Sequence, residues 1–186
     1  MSDSVLVWIA IAVFLFWSMG AYNRLVRLRS QGLVAFAALE GSFKQYLSLV
    51  KENIPDTAEV HDGDDAGHGH DNSSAAWAGL AAAAEQFNAS LKVAHAHPLN
   101  GPTTSALKTA FETLCLSWSR LQHLPPDLAG SALPATLQSQ WEHIAFQTEI
   151  ARTEFNRMVA SYNDAISQFP ALLLAWMFGF KPAQPI

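Results

Sequence analysis

Only one cysteine, Cys115, stands among the 186 residues, so no internal disulfide can form and no thiolate metal site can be assembled. Its neighbours, TLCLSW, are those of a small buried hydrophobe rather than a reactive thiol. Basic side chains are also scarce: 11 Lys and Arg against 16 Asp and Glu leave a net charge of −5. No basic cluster is long enough to follow a phosphate backbone, which argues against nucleic acid as a partner. Catalytic signatures are missing as well. The chain has no Ser-His-Asp or Cys-His pattern, no glycine-rich phosphate loop and no HExxH, and Glu142-His143 lacks the ExxH spacing of a di-iron bundle. A protein that is not an enzyme, with no catalytic residues and no cofactor, is the expectation. No segment alternates apolar and polar side chains, so no strand is expected.

What is present starts with a run free of charge. Ser4 to Asn23 reads SVLVWIAIAVFLFWSMGAYN, twenty residues without a charge. As a helix this is about 30 Å, the thickness of a bilayer's hydrocarbon core. Nine of these residues are Val, Leu, Ile or Phe, and together they favour insertion by roughly 3 to 5 kcal/mol. A cleaved signal peptide would carry Lys or Arg before the run and a small-x-small site after it. The leading Met1-Ser2-Asp3-Ser4 has no basic side chain, so residues 1–23 are read as an uncleaved anchor. Arg24, Arg27 and Arg29 follow at once. The positive-inside rule then places a short N-terminus outside and the remainder in the cytoplasm, as a single-pass protein.

Beyond the anchor, apolar residues recur at three- and four-residue steps. Leu25, Leu28, Gly32, Ala35, Leu39, Phe43, Tyr46 and Val50 form one stripe, so the anchor and the first bundle helix are expected to be continuous. A second helix is expected from Ser73 or Ser74, with Trp77, Leu80, Ala84, Phe87 and Leu91, ending at HPLNGP. A third is expected from Thr103, with Leu107, Phe111, Leu114, Trp118 and Leu121, closed by HLPPDLAGSALP. The fourth is the most regular: Leu137, Trp141, Ile144, Thr148, Ala151, Phe155, Met158, Tyr162, Ala165 and Phe169 stay in phase. The expected fold is all-α: an N-terminal transmembrane helix continuing into an up-and-down four-helix bundle over residues 24–169, with a short apolar C-terminal tail over residues 170–186.

The fourth helix contains FNRMVASYNDAISQFP, in which Phe155-Asn156, Tyr162-Asn163 and Phe169-Pro170 repeat every seven residues. Seven residues is two turns, so the aromatics share the seam and the asparagines sit about 100° away on its flank. Pro170, lacking an N–H, is expected to end the helix. Up-and-down topology returns this end to the level of Tyr22-Asn23. The following ALLLAWMFGF is too short to span a bilayer and too apolar to be left in water. It is expected either to fold on the open end of the bundle or to lie among headgroups with Trp176 and Phe178.

The opening span with YNRLVRLR and the closing IARTEFNRMVASYNDAISQFPALLLAWMFGFKPA resemble the LemA family of bacterial membrane proteins. The elements that carry the resemblance are Phe155-Asn156, Tyr162-Asn163, Phe169-Pro170 and Gly179-Phe180, with Phe155 where the family usually has Tyr. The first helix reads KQYLSLVKENIP in place of the family's usual Ile-Pro-Asn-Leu-like stretch, and extra residues surround HDGDDAGHGHD. The resemblance implies a single-pass protein with a short external N-terminus and a soluble helical bundle. It implies no catalytic residues.

The loop near residues 55–73 holds His61, His68 and His70 among aspartates, a donor set suited to Zn²⁺, Ni²⁺ or Cu²⁺. Nothing in the sequence fixes their separation, and the loop is read as a flexible acidic linker. His95 and His97 are read as residues that complement the end of the second helix. Asn156 and Asn163 are read as register-fixing amides that bond backbone or an adjacent helix, with docking as the alternative role. The combined reading is an adaptor or scaffold. Its partners would be the lipid bilayer and a membrane protein, self-assembly into a homo-oligomer is compatible with it, and its surface would be built from Tyr22, Asn23, the aromatic-Asn pairs, Phe169-Pro170, Trp176, Phe178 and Gly179-Phe180. Membrane organisation through self-assembly and insertion of the tail, and metal handling through the His/Asp loop, are the alternatives.

Overall fold

The computed structural model describes residues 2–54, 68–125, 133–169 and 171–186. Five helices carry the fold: α1 (Ser2–Asn53), α2 (His68–Ala96), α3 (Gly101–Gln122), α4 (Ala135–Ser167) and α5 (Ala171–Phe178). Among the described residues there is no strand. The anchor stretch and the first bundle helix are one rod without a break. Near its start α1 is long and apolar enough to cross a membrane, and none of that stretch is buried against the rest of the chain.

The stripes read from the sequence form the core. On α1, Leu25, Gly32, Ala35, Leu39, Phe43, Tyr46 and Val50 are buried and Leu28 is half-buried. Trp77, Leu80, Ala84, Phe87 and Leu91 do the same for α2, and Leu107, Leu114, Trp118 and Leu121 for α3. The helices associate as two close pairs, α1 with α4 and α2 with α3. Small residues at the contacts, such as Ala35, Ala165, Ala84 and Ala110, let the backbones approach.

Between the pairs lies an aromatic layer that sets the up-and-down register. Phe43 meets Phe87 edge to face at 5.1 Å, Phe111 lies 4.9 Å from Phe43, and Tyr46 lies 4.5 Å from Trp141. Nearer the start of α1, Phe36 meets Phe155 at 5.7 Å, so α4 runs antiparallel to α1. No Cα of α3 comes within 8 Å of α4. Those two helices are joined by Trp118 stacked on Trp141, with centroids 4.1 Å apart and planes 3° from parallel.

Three local expectations shift. Helix α2 begins at His68, ahead of Ser73, within the stretch read as linker. Helix α3 begins at Gly101, with Pro102 in the first turn, where its missing N–H costs nothing. Helix α4 ends at Ser167 and Gln168 is already extended (φ −84°, ψ 138°). The seven-residue phase is therefore lost before Phe169, which is 71% exposed rather than on the seam.

One buried charge ties α2 to α1. Glu40 pairs with Lys44 one turn on at 2.7 Å and with His95 Nδ1 at 2.9 Å, so His95 reaches across to α1 as well as closing its own helix. Burial pushes the Glu40 carboxyl up, but hydrogen bonds and charge from Lys44 and His95 outweigh it and hold the group below its ordinary value of 4.5. A carboxyl held low in the folded state stabilises above that ordinary value, and the contribution is lost as pH falls through the lower folded value. Both partners are largely in water, so the effect is about 1 kcal/mol. Glu40→Gln is expected to flatten the acid side of a plot of melting temperature against pH between about pH 3 and pH 6, relative to wild type. An unchanged acid limb would assign acid sensitivity to other carboxylates.

Candidate functional site: an asparagine clamp on the C-terminal segment

Asn156 and Asn163 stand two turns apart on α4, about 10.5 Å along its axis. Each amide makes a paired contact with the backbone of the extended segment after α5. Asn163 Nδ2 donates to Ala183 O and its Oδ1 accepts from Ala183 N–H, both at 2.9 Å. Asn156 does the same with Ile186, again at 2.9 Å for both bonds. Because each amide donates and accepts at once, its orientation is set by its partners.

The spacing has a simple origin. Ala183 and Ile186 are three residues apart and each follows a proline, Pro182 or Pro185. Proline favours polyproline II, in which three residues make one turn and advance about 9.3 Å. One turn of the segment thus matches two turns of α4, and the N–H and C=O groups that meet the amides recur on one face. The side chains of Ala183 and Ile186 are buried at 3% and 4% exposure. Tyr162 O–H donates to Lys181 O at 3.1 Å, and Ser105 Oγ donates to Gln184 Oε1 from α3. A side chain larger than hydrogen at Gly101 would press on Gln184, whose Cδ would stand 3.1 Å from a Cβ there.

Helix α5 delivers the segment. Its inward face is Ala171, Leu174 and Ala175, while Leu172, Leu173, Trp176 and Met177 face outward. Gly179 adopts φ +69°, a left-handed conformation that suits glycine, and Phe180 N–H donates to Ala175 O at 2.9 Å. This stop turns the chain from helix into the clamped strap. Aromatic contacts hold α5 beside α1: Trp17 to Phe169 at 5.8 Å, Tyr22 to Phe178 at 5.2 Å and Tyr22 to Phe180 at 6.4 Å. The Arg29 guanidinium stands 5.9 Å from the Phe180 ring centroid. Burial pushes the Tyr162 phenol up in pKa, with the Arg29 charge opposing, so Tyr162 remains a neutral donor at ordinary pH.

Beside the strap, between the start of α3 and α1, lies a cleft of about 680 Å³ lined by Arg29, Leu33, His97, Asn100, Tyr162, Phe180, Lys181 and their neighbours. No carboxylate lines it. Among the described residues, Arg24, Arg27, Arg29 and Lys181 form no ion pair.

The residues singled out from the sequence are gathered only in part. Tyr22, Tyr162, Asn156, Asn163, Phe178, Gly179 and Phe180 belong to one assembly, the strap and its supports. Phe155 is fully buried against Phe36, Asn23 is exposed, and Trp176 is 86% exposed on the outer face of α5. Both asparagines bond backbone, as in the register-fixing reading, but that backbone belongs to the C-terminal segment and not to an adjacent helix. Pro170 and His61 lie outside the described residues; for His68 and His70 only the backbone, in the first turn of α2, is described. Among the described residues no group of three His, Cys, Asp or Glu could hold a metal ion. Burial pushes the Cys115 thiol up to about 11, matching a packing role.

Sequence reasoning used Arg29 only to orient the span and passed over Gln184, Ala183 and Ile186. The signal for the last two was available in the three-residue period of KPAQPI. No curated protein and no solved structure matches the chain. The LemA family model matches residues 103–185, which takes in α3 from Thr103, α4, α5 and the strap as far as Pro185. Over that region, which holds both clamping asparagines, the chain is similar to the LemA family.

Proposed function

We propose that this chain is a non-enzymatic adaptor, anchored in the inner membrane by the start of α1, that holds its helical bundle in the cytoplasm and presents it to another membrane protein. The observation that carries this reading is the continuity of α1. One 52-residue helix contributes both the exposed apolar stretch and a full stripe of the bundle core, so the bundle's attitude to the bilayer is set by the anchor. The orientation is supported by charge: Lys181 is brought to the same end of the bundle as Arg29, adding to the basic flank required of a cytoplasmic face.

The clamp changes where a partner is to be sought. Both sides of the Asn163 amide are occupied by Ala183, so the outer face of α4 is the better probe. There Phe146 and Ile150, one turn apart, are 68% and 58% exposed. A photo-crosslinker replacing Phe146 in cells is expected to capture one discrete membrane protein. Adducts limited to lipid and to the chain itself would sink the adaptor reading.

A second reading, membrane organisation through the tail, is favoured by α5, whose outward residues are all large and apolar. It requires that Trp176 sit in lipid. Brominated lipid should then quench the wild-type emission more than that of Trp176→Ala, and equal quenching would remove this alternative.

A further inference from the structure

The cleft beside the strap has a chemistry that neither the adaptor reading nor the family match uses. Arg29 and Lys181 bring two full positive charges to it, His97 adds an imidazole, and Asn100 and Tyr162 add polar groups, with no acid to answer them. The amino end of α3 opens on the same space, and Asn100 forms no side-chain cap bond there. Its dipole adds to the positive field. In a chain whose net charge is −5, an acid-free basic cleft is a local reversal of sign.

Its position relative to the anchor narrows the ligand. Arg29 lies six residues past Asn23, about 9 Å further along α1. The interfacial layer of a leaflet is about 5 to 8 Å thick, and an arginine side chain reaches back several ångströms by snorkelling. Between the anchor and the cleft sits α5, level with Trp17 and Tyr22 and with Leu172, Leu173, Trp176 and Met177 facing outward. That face continues the apolar surface of the anchor and offers a bed for acyl chains, directly beneath the cationic cleft. A free phosphate would use only the cleft; a lipid would use both.

We propose that the cleft bounded by Arg29, His97, Asn100, Tyr162, Phe180 and Lys181 binds the phosphate headgroup of one anionic phospholipid, whose acyl chains lie along α5. The two cations would clasp the phosphate, Arg29 held in place over the Phe180 ring and Lys181 held by the Tyr162 bond to its carbonyl. The strap therefore forms one wall of the site, and the asparagine clamp positions that wall without touching the lipid.

The inference rests on the membrane anchorage of the proposed function, and its test separates the two. The full chain is placed in nanodiscs of phosphatidylcholine with a minor share of phosphatidylglycerol, and lipids retained on the ejected protein are counted by native mass spectrometry. Wild type is expected to keep one phosphatidylglycerol per chain, enriched about tenfold over its share, equivalent to about 1.4 kcal/mol of preference. Arg29→Gln with Lys181→Gln should return it to its share in the disc. Arg24→Gln with Arg27→Gln removes charge of equal size outside the cleft and should leave the single retained lipid in place. If the double variant fails to fold, Lys181→Gln alone, at an exposed position, must still lower retention. Equal retention in wild type and in the Arg29/Lys181 variants overturns the proposal, as does loss only in the Arg24/Arg27 variant, which would mean diffuse attraction. Inorganic phosphate that raises the melting temperature in phosphatidylcholine discs as much as phosphatidylglycerol does would assign the cleft to a free anion and overturn the lipid. A chain that does not co-elute with the discs defeats the anchorage; one that co-elutes without lipid preference defeats only the cleft.

Discussion

Asn163→Ala is expected to release the whole strap, raising hydrogen exchange at the Ala183 and Ile186 amides together by at least about tenfold. The size follows from a close balance. Ordering residues 181–186 costs about 1 to 2 kcal/mol per residue, reduced by the two prolines, which restrict the unfolded chain. Against this stand five hydrogen bonds to Asn156, Asn163 and Tyr162, each worth about 1 kcal/mol net, and the burial of Ile186, worth about 1.5 to 3 kcal/mol. Neither side has much to spare, so the loss of two bonds at one position tips the segment off. Asn156→Ala should act alike, and the double variant should exceed either single one by little, because the segment leaves as a unit. Hydrogen-exchange mass spectrometry on the C-terminal peptide reads this directly. Exchange raised at Ala183 but not at Ile186 would mean that apolar packing, not the asparagines, holds the strap.

The aspartate variant sharpens the point. Asn163→Asp keeps an acceptor for the Ala183 N–H but aims a second negative oxygen at the Ala183 carbonyl. At neutral pH it is expected to release the strap as fully as alanine. Below about pH 4 the carboxyl protonates and regains a donor, so partial recovery is expected there.

The second large effect belongs to the aromatic layer. Trp141→Ala is expected to cost about 3 to 5 kcal/mol in thermal or denaturant unfolding, with Trp141→Phe costing clearly less. Trp141 is where Tyr46 from α1 and Trp118 from α3 converge, at 4.5 Å and 4.1 Å. Since α3 and α4 make no close backbone approach, the two backbones do not already meet beneath the ring, and its removal leaves a gap between them. A loss of less than about 1.5 kcal/mol would show that the bundle relaxes across the gap.

How much of this could be read in advance depends on which atoms do the binding. Helix packing is done by side chains, so the stripes of α1 through α4 appear in the sequence as periods of three and four, and their residues are the core. The strap is held through N–H and C=O groups, which every residue but proline shares, so KPAQPI carries no apolar pattern to mark its partner. What can be read is a match of periods: asparagines seven apart on a helix, prolines three apart in the tail. Phe169 failed for a related reason. Its place in the heptad presumed a helix that had already stopped at Ser167, and periodicity holds only while the backbone does. The cleft was beyond reach altogether, since Arg29, His97 and Lys181 are scattered along the chain and only the fold brings them together.

Anchored as proposed above, the unbroken α1 would also make the molecule a lever. Residues 24–53 extend about 45 Å beyond the anchor, and a tilt of 20°, ordinary for a single span, displaces the far end sideways by about 15 Å. Tilt is set by how the apolar length matches the bilayer. A thinner membrane leans the rod, and the bundle, being built on that rod, leans with it. The distance at which the distal face meets a neighbour would then depend on lipid thickness, converting a property of the bilayer into a position of the bundle.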